Sequence, residues 1–293
     1  MHEFLRSIGF KSLRTKKQLN ELTEWVREKP DHLSVVSLNH ESNLAVAERE
    51  IAGHAGISVV GEIDEHGVLV PEYYFPWLSS TFISSDAHIS YEKQAAKESY
   101  IGMCEDYRMG MALIFTIRNL VDVVRNEGAG NLGTPFTEAA LSMLCSDGMV
   151  LLPIYETEKV LDTRNGGTEL ERRLLNDASQ GDPDALDKLT RQEMMRYKNV
   201  MDHIYDTDIY TMVNSFFMPH GMESDRYYVL GDIEAVQLFE NAFTREHYYR
   251  MKVRSNGMEF VLAVNTADLL GVPAPGYRIK CHGWLLGDLK KHT

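Results

Sequence analysis

The sequence predicts an α+β protein that combines an antiparallel sheet and its N-terminal helix, a helical connector, and a small C-terminal β-barrel. Three observations indicate this class. The hydrophobic pattern is helical near the N-terminus, it alternates over the next stretch, and it alternates again beyond an acidic helical region. At 293 residues the chain is longer than the usual single domain, so more than one structural unit is expected.

The N-terminal region predicts a capped helix. Thr15 and Gln18 have the spacing of a capping box, and apolar residues then recur at three and four positions until Pro30. This pattern predicts a helix over residues 16–28. A second short helix is predicted over residues 45–51.

Alternation begins at Ile57 and predicts a β-hairpin. The turn Asp-Glu-His-Gly at residues 64–67 separates two alternating runs, residues 57–63 and 68–75. Further strands are predicted at residues 88–94, 100–104, 109–117 and 149–154, with a short helix at 120–125. Residues 57–160 are therefore expected to form one largely antiparallel sheet.

The chain becomes acidic and helical before alternation returns. Residues 166–208 hold ten acidic and six basic side chains, with N-cap patterns and one apolar stripe at helical spacing. After Pro219, predicted strands at residues 227–236, 247–254, 258–264 and 277–286 favour a small barrel of the oligonucleotide-binding type. The predicted domains are residues 1–165, the connector 166–208 and the barrel 209–293.

Composition restricts the classes of partner and compartment. The net charge of −13 opposes binding to phosphate backbones and anionic membrane surfaces, so nucleic acid is a disfavoured partner. No apolar run approaches the roughly 20 residues of a membrane-spanning helix, and the first ten residues lack a signal-peptide pattern. Three widely spaced cysteines suit a reducing compartment. The prediction is a cytoplasmic protein without disulfide, metal or cofactor.

Catalytic motifs are weak or missing in this sequence. The glycines at residues 128–133 fit dinucleotide-binding spacing but lack the strand before and the helix after the loop. Cys281 and His282 are adjacent on a predicted strand, so their side chains point to opposite faces and cannot form a dyad. Two groups remain as candidates for catalysis: Cys104, Glu105 and Asp106, and the cluster of Asp202, His203 and Asp206. The second group offers two ligands from one helical face, which is too few for a metal site.

Basic side chains alternate along two predicted strands of the C-terminal region. Arg250, Lys252 and Arg254 share a face of one strand, and Arg278 and Lys280 share a face of another. If the two strands lie side by side, the five cations form a ligand-binding patch. The alternative is the ordinary solvent face of a half-buried sheet.

Three aromatic side chains alternate along the second strand of the predicted hairpin. Tyr73, Phe75 and Trp77 would lie on one face of that strand. They form either a stacking platform for a planar ligand or part of the sheet core.

Four segments resemble a known protein family. They are FLRSIGF from Phe4, KESYIGMCEDYRMGMALIFTIRN from Lys97, FFMPHGMESDRYYVLGDI from Phe216, and DLLGVPAPGYRIKCHGWLLGDL from Asp268. The chain resembles a domain-of-unknown-function family, number 3881, of cytosolic proteins from anaerobic, clostridial Gram-positive bacteria. The resemblance spans nearly the whole chain. It implies a fixed two-part architecture and carries no activity, cofactor or site residue.

Three functional classes remain open. The leading interpretation is a non-catalytic binding or regulatory protein that engages a protein or small molecule through the barrel or the groove between the two units. The competing class is an enzyme whose site is assembled between the units. The third is single-stranded nucleic-acid binding by the barrel.

Overall fold

A computed structural model describes residues 2–38, 42–94, 99–128, 135–153, 188, 214–221 and 224–291. The chain divides into two compact units, one of Met1–Pro153 with Ser215–Thr293 and the other of Ile154–Asn214. The second unit, which includes the predicted connector, lies outside the described residues except for Asn214 and Lys188. The first unit is of mixed α+β class with a closed barrel, so the predicted class is confirmed.

The N-terminal elements follow the local sequence. A 3-10 helix, Glu3–Ile8, ends at Gly9, whose φ of 83° is left-handed and favours glycine. Helix α1, Lys16–Glu28, begins with the predicted capping box, in which Thr15 accepts a hydrogen bond from the Gln18 backbone. The predicted helix is therefore confirmed at both ends.

Four antiparallel strands form the first sheet, in the order β1-β2-β3-β4. They are β1 (His32–Ser37), β2 (Asn43–Ala52), β3 (Ala55–Ile63) and β4 (Leu69–Leu78). The β3–β4 hairpin confirms the prediction, and the Asp64 side chain closes its turn by accepting from the backbone of Val68. The short helix predicted over residues 45–51 is wrong. That segment lies in β2, whose consecutive buried residues 44–47 do not alternate because β2 is an inner strand covered on both faces.

The remaining strands before the connector join the second sheet. They are β5 (Ile89–Lys93), β6 (Tyr100–Cys104), β7 (Leu113–Ile117) and, after helix α2 (Leu120–Gly128), strand β8 (Glu138–Leu151). The expectation of one sheet over residues 57–160 is therefore wrong. Strand β8 also begins well before the predicted strand at residues 149–154. The prediction missed its first part because residues 139–146 are all buried and show no alternation.

Five strands close a barrel at the C-terminal end of the chain. The later strands are β9 (Phe216–Pro219), β10 (Arg226–Glu240), β11 (His247–Ser255), β12 (Met258–Asn265), β13 (Leu269–Leu270) and β14 (Arg278–Lys290). The ring runs β8-β12-β11-β10-β14 and closes by pairing β14 with β8. The predicted small barrel is confirmed, and one of its five strands comes from before the connector.

Strand β14 also links the barrel to β7, β6 and β5. The Phe115 ring packs closely on Gly102 and Gly287, where an added Cβ would approach ring atoms to 2.4 Å. The N-terminal 3-10 helix is joined to the barrel because the Ser7 hydroxyl donates to the carbonyl of Cys145 at 2.7 Å. No helix in the described part of the chain is long and apolar enough to cross a membrane.

Candidate functional site

A small pocket lies between strand β4, the β7–α2 segment, strand β14 and the N-terminus. Its volume is about 40 Å³. We call it the aromatic pocket, and it is lined by His2, Tyr73, Tyr74, Phe75, Ser99, Thr116, Ile117, Leu120 and Trp284. Two of the three predicted stacking residues therefore line a cavity. The third, Trp77, is buried elsewhere under the guanidinium of Arg118.

A β-bulge in β4 immediately precedes the two tyrosines that line this pocket. The register shifts between Val60, which pairs with Tyr73, and Gly61, which pairs with Pro71, so Glu72 is an extra residue. The bulge changes the direction of the side chains that follow it. Tyr73 and Phe75 are two residues apart on the strand and share a face, and their stacked ring centroids lie 6.3 Å apart. The hydroxyl of the intervening Tyr74 also reaches the N-terminus, where it accepts from the His2 backbone at 2.9 Å.

A carboxylate lies behind the indole that forms the pocket wall. Trp284 Nε1 donates to Asp225 Oδ2 at 2.6 Å, and the Thr116 hydroxyl donates to the same oxygen at 2.8 Å. Because an indole N–H lies in the ring plane, the bond places a negative charge at the ring edge. The indole ring also packs near His2 and Phe4, with ring centroids 4.8 and 5.8 Å away. Aromatic faces with such a charge nearby attract cations. Burial raises the pKa of Tyr74, so this tyrosine is uncharged at neutral pH.

A second cluster lies on the outer barrel face, where another β-bulge occurs. The register shift between His282 and Gly283 makes Ser146 the extra residue of β8. The Ser146 hydroxyl lies 2.8 Å from Asp147 Oδ2 and 3.1 Å from His282 Nδ1. Burial lowers the pKa of His282. Because Asp147 contacts the serine instead of the imidazole, it cannot orient His282 as the acid of a catalytic triad does.

The first predicted catalytic group is part of a buried hydrogen-bond network. Cys104 donates through its thiol to Ser85 at 3.2 Å, and Ser85 donates to Asp106 at 2.6 Å. Arg108 also donates to Asp106 through Nε at 2.8 Å. The bond from Arg108 holds the pKa of Asp106 at about 2, while burial raises the pKa of the Cys104 thiol. Glu105 points to solvent.

This network favours a structural role for the first group. A nucleophilic cysteine needs a lowered pKa and access, and Cys104 has neither. Asp202, His203 and Asp206 lie outside the described residues. Within the described ranges, no three His, Cys, Asp or Glu side chains are placed to hold a metal ion.

The predicted cationic side chains lie on strands that are not neighbours. Strand β10 separates β11 from β14 and contributes acidic residues between the two rows. Lys252 contacts Glu234 at 2.9 Å and Glu259 at 2.6 Å. Arg254 contacts Glu234 at 3.1 Å. These two cations are therefore neutralised at short range.

The other three predicted cations differ from one another. Arg278 is buried, and its Nε donates to the carbonyl of Leu152 at 3.2 Å. Lys280 is half-buried on the same strand. Arg250 is half-buried, and no carboxylate contacts it among the described residues.

A family model described as "Domain of unknown function, E. rectale Gene description (DUF3881)" matches residues 5–287. The chain belongs to this family. The family expected from the sequence is thereby confirmed. The searches of curated proteins and of solved structures found no match.

Some residues of the aromatic pocket were not found from the sequence. His2, Thr116 and Trp284 come from distant segments, as does Asp225 behind the indole, and no local pattern connects them. The alternation of Tyr73 and Phe75 was the one signal that pointed to this place.

Proposed function

We propose that this protein is a non-catalytic binding protein and that its aromatic pocket receives one cationic side chain of a partner protein. The pocket lies in the groove between the four-stranded sheet and the barrel. The observation that carries the proposal is the indole of Trp284, whose N–H is bonded to the Asp225 carboxylate while the ring lines the pocket.

The size of the pocket favours a single side chain over a whole ligand. Pockets that enclose small molecules have volumes of about 300–1,000 Å³. At about 40 Å³, this pocket has room for the end of one side chain. A partner chain would then supply the rest of the binding energy through contacts outside the pocket.

Charge favours a cation as the occupant. The whole chain carries a net charge of −13, which attracts basic partners. Two arginines that are sequence neighbours of Ile117 and Asp225 are each paired with a carboxylate, which reduces their repulsion of a cation. Arg226 is paired with Glu3 at 3.0 Å, and Arg118 is paired with Asp288 at 2.5 Å.

The test uses butylammonium as a mimic of a lysine side chain. Butylammonium has five heavy atoms, and a binding free energy of about 0.4 kcal/mol per heavy atom corresponds to a Kd of about 30 mM. A nuclear magnetic resonance titration should shift the Trp284 Nε1–H signal. Asp225→Asn should weaken the binding by roughly tenfold, since cation–aromatic contacts contribute about 1–2 kcal/mol. The matched control Glu92→Gln, on exposed strand β5, should bind as the wild type does.

Two results would contradict the proposal. One is an equal shift of the Trp284 signal with neutral butanol, which would make the pocket merely apolar. The other is no shift with butylammonium at 100 mM or more, about three times the expected Kd.

The other two classes have less support. The enzyme alternative needs an activated group, but Cys104 has a raised pKa and Ser146 lacks an oriented histidine. The nucleic-acid alternative needs unpaired cations, but Lys252 and Arg254 are paired with glutamates.

A further inference from the structure

Arg250 differs from the two cations that follow it on strand β11. Lys252 and Arg254 each have a glutamate partner within 3.1 Å. Arg250 reaches only uncharged oxygen atoms, at 3.4 Å to the Ser79 carbonyl and 3.5 Å to Gln237 Oε1. Both contacts are longer than ordinary hydrogen bonds.

One nitrogen of the Arg250 guanidinium is withdrawn from solvent. This atom, Nε, is buried and has no hydrogen-bond partner in the described part of the chain. Burial lowers the pKa of Arg250. A desolvated charge without a counter-charge is costly, and buried donors in folded proteins nearly always have a partner. The Nε donor of Arg250 therefore has no acceptor among the described residues, and the other two contacts of the guanidinium are long.

The surroundings of Arg250 suit a small anion. The side chain reaches from the barrel to the end of strand β4, where residues 79–81 read Ser-Ser-Thr. The Ser79 hydroxyl makes no hydrogen bond to any residue that the structure describes. An arginine fork binds phosphate or carboxylate groups through two parallel N–H bonds.

We propose that Arg250 binds a small oxyanion, a phosphate or a carboxylate group, between the end of strand β4 and strand β11. This site is separate from the aromatic pocket and does not depend on it. The acidic chain weakens the attraction of anions from a distance, but its field is screened beyond about 8 Å at physiological salt. The affinity should therefore be modest and set by local contacts.

The test measures thermal unfolding of the whole protein in potassium phosphate, potassium acetate and potassium chloride at equal ionic strength. At a phosphate or acetate concentration tenfold above Kd, Tm should rise by about 3 °C over chloride. The larger of the two responses identifies the preferred group. Arg250→Gln should abolish the rise, and Arg250→Lys should weaken the affinity roughly tenfold because it loses the fork. The control Arg254→Gln, on the same strand, should keep the wild-type response.

Two results would reject the anion site. No rise over chloride in the wild type would overturn the proposal, as would an undiminished rise in Arg250→Gln. If Arg250→Gln does not fold, Arg250→Lys decides, since an unchanged affinity in that variant would also reject the site.

Discussion

Asp106→Asn should destabilise the protein at neutral pH, by an amount that falls as the solution becomes acidic. The carboxylate of Asp106 is 3 % exposed and accepts hydrogen bonds from Arg108 and Ser85 at 2.8 and 2.6 Å. The variant keeps the shape of the side chain but removes its charge. The ion pair with Arg108 is then lost.

The magnitude follows from the pKa. The bond from Arg108 lowers the pKa of Asp106 from its ordinary 3.8 to about 2. This difference corresponds to about 2.5 kcal/mol, which is an upper limit because an asparagine amide keeps some of the hydrogen bonds. Since the pKa is lowered on folding, the stabilisation is complete above about pH 5 and is lost as the pH falls through 2, with about half remaining at pH 3.

The assay is urea unfolding of the wild type and Asp106→Asn at pH 7, 4 and 3. The exposed neighbour supplies a matched control, because Glu105→Gln should change the free energy of unfolding by less than about 0.5 kcal/mol at any of these values. The reasoning would be refuted by a loss below about 0.5 kcal/mol for Asp106→Asn at pH 7. It would also be refuted by a loss that is the same at pH 3 as at pH 7.

Three further outcomes are expected. Thiol titration should find no reaction in the native protein and three free thiols after denaturation, because Cys104, Cys145 and Cys281 are buried. An intramolecular disulfide in protein kept from air would contradict this prediction. A labelled single-stranded oligonucleotide should not bind at physiological salt, and micromolar binding there would restore the nucleic-acid interpretation. The division into domains at residue 209 stays a prediction. Because β8 pairs with both β12 and β14, we expect residues 209–293 to need β8 in order to fold. The isolated fragment should therefore lack a cooperative unfolding transition unless residues 138–151 are added. A cooperative transition of the fragment alone would favour the separate domain.

Elements whose signals are local could be predicted from the sequence. Helix α1 begins at its Thr15 capping box, and the β3–β4 turn is closed by Asp64, so both depend on residues a few positions apart. Strand β11 also lies close to its predicted limits, because one of its faces is less buried than the other at several positions and the hydrophobic pattern partly alternates.

Two strands that are covered on both faces were predicted less well than these elements. Strands β2 and β8 have runs of buried residues because neighbours cover both of their faces, so alternation disappears and the pattern fits a helix equally well. The sequence therefore indicated a barrel but not that β8 is one of its five strands.

The candidate sites depend on which strands become neighbours. The sequence by itself determined that Arg250, Lys252 and Arg254 share a face of one strand, because side chains alternate along a strand. Only the tertiary structure decided that β10 lies beside them and brings Glu234 to two of the three. The physical reason is that charge pairing depends on strand order and register, which are set by the packing of the whole barrel and not by neighbouring residues along the chain.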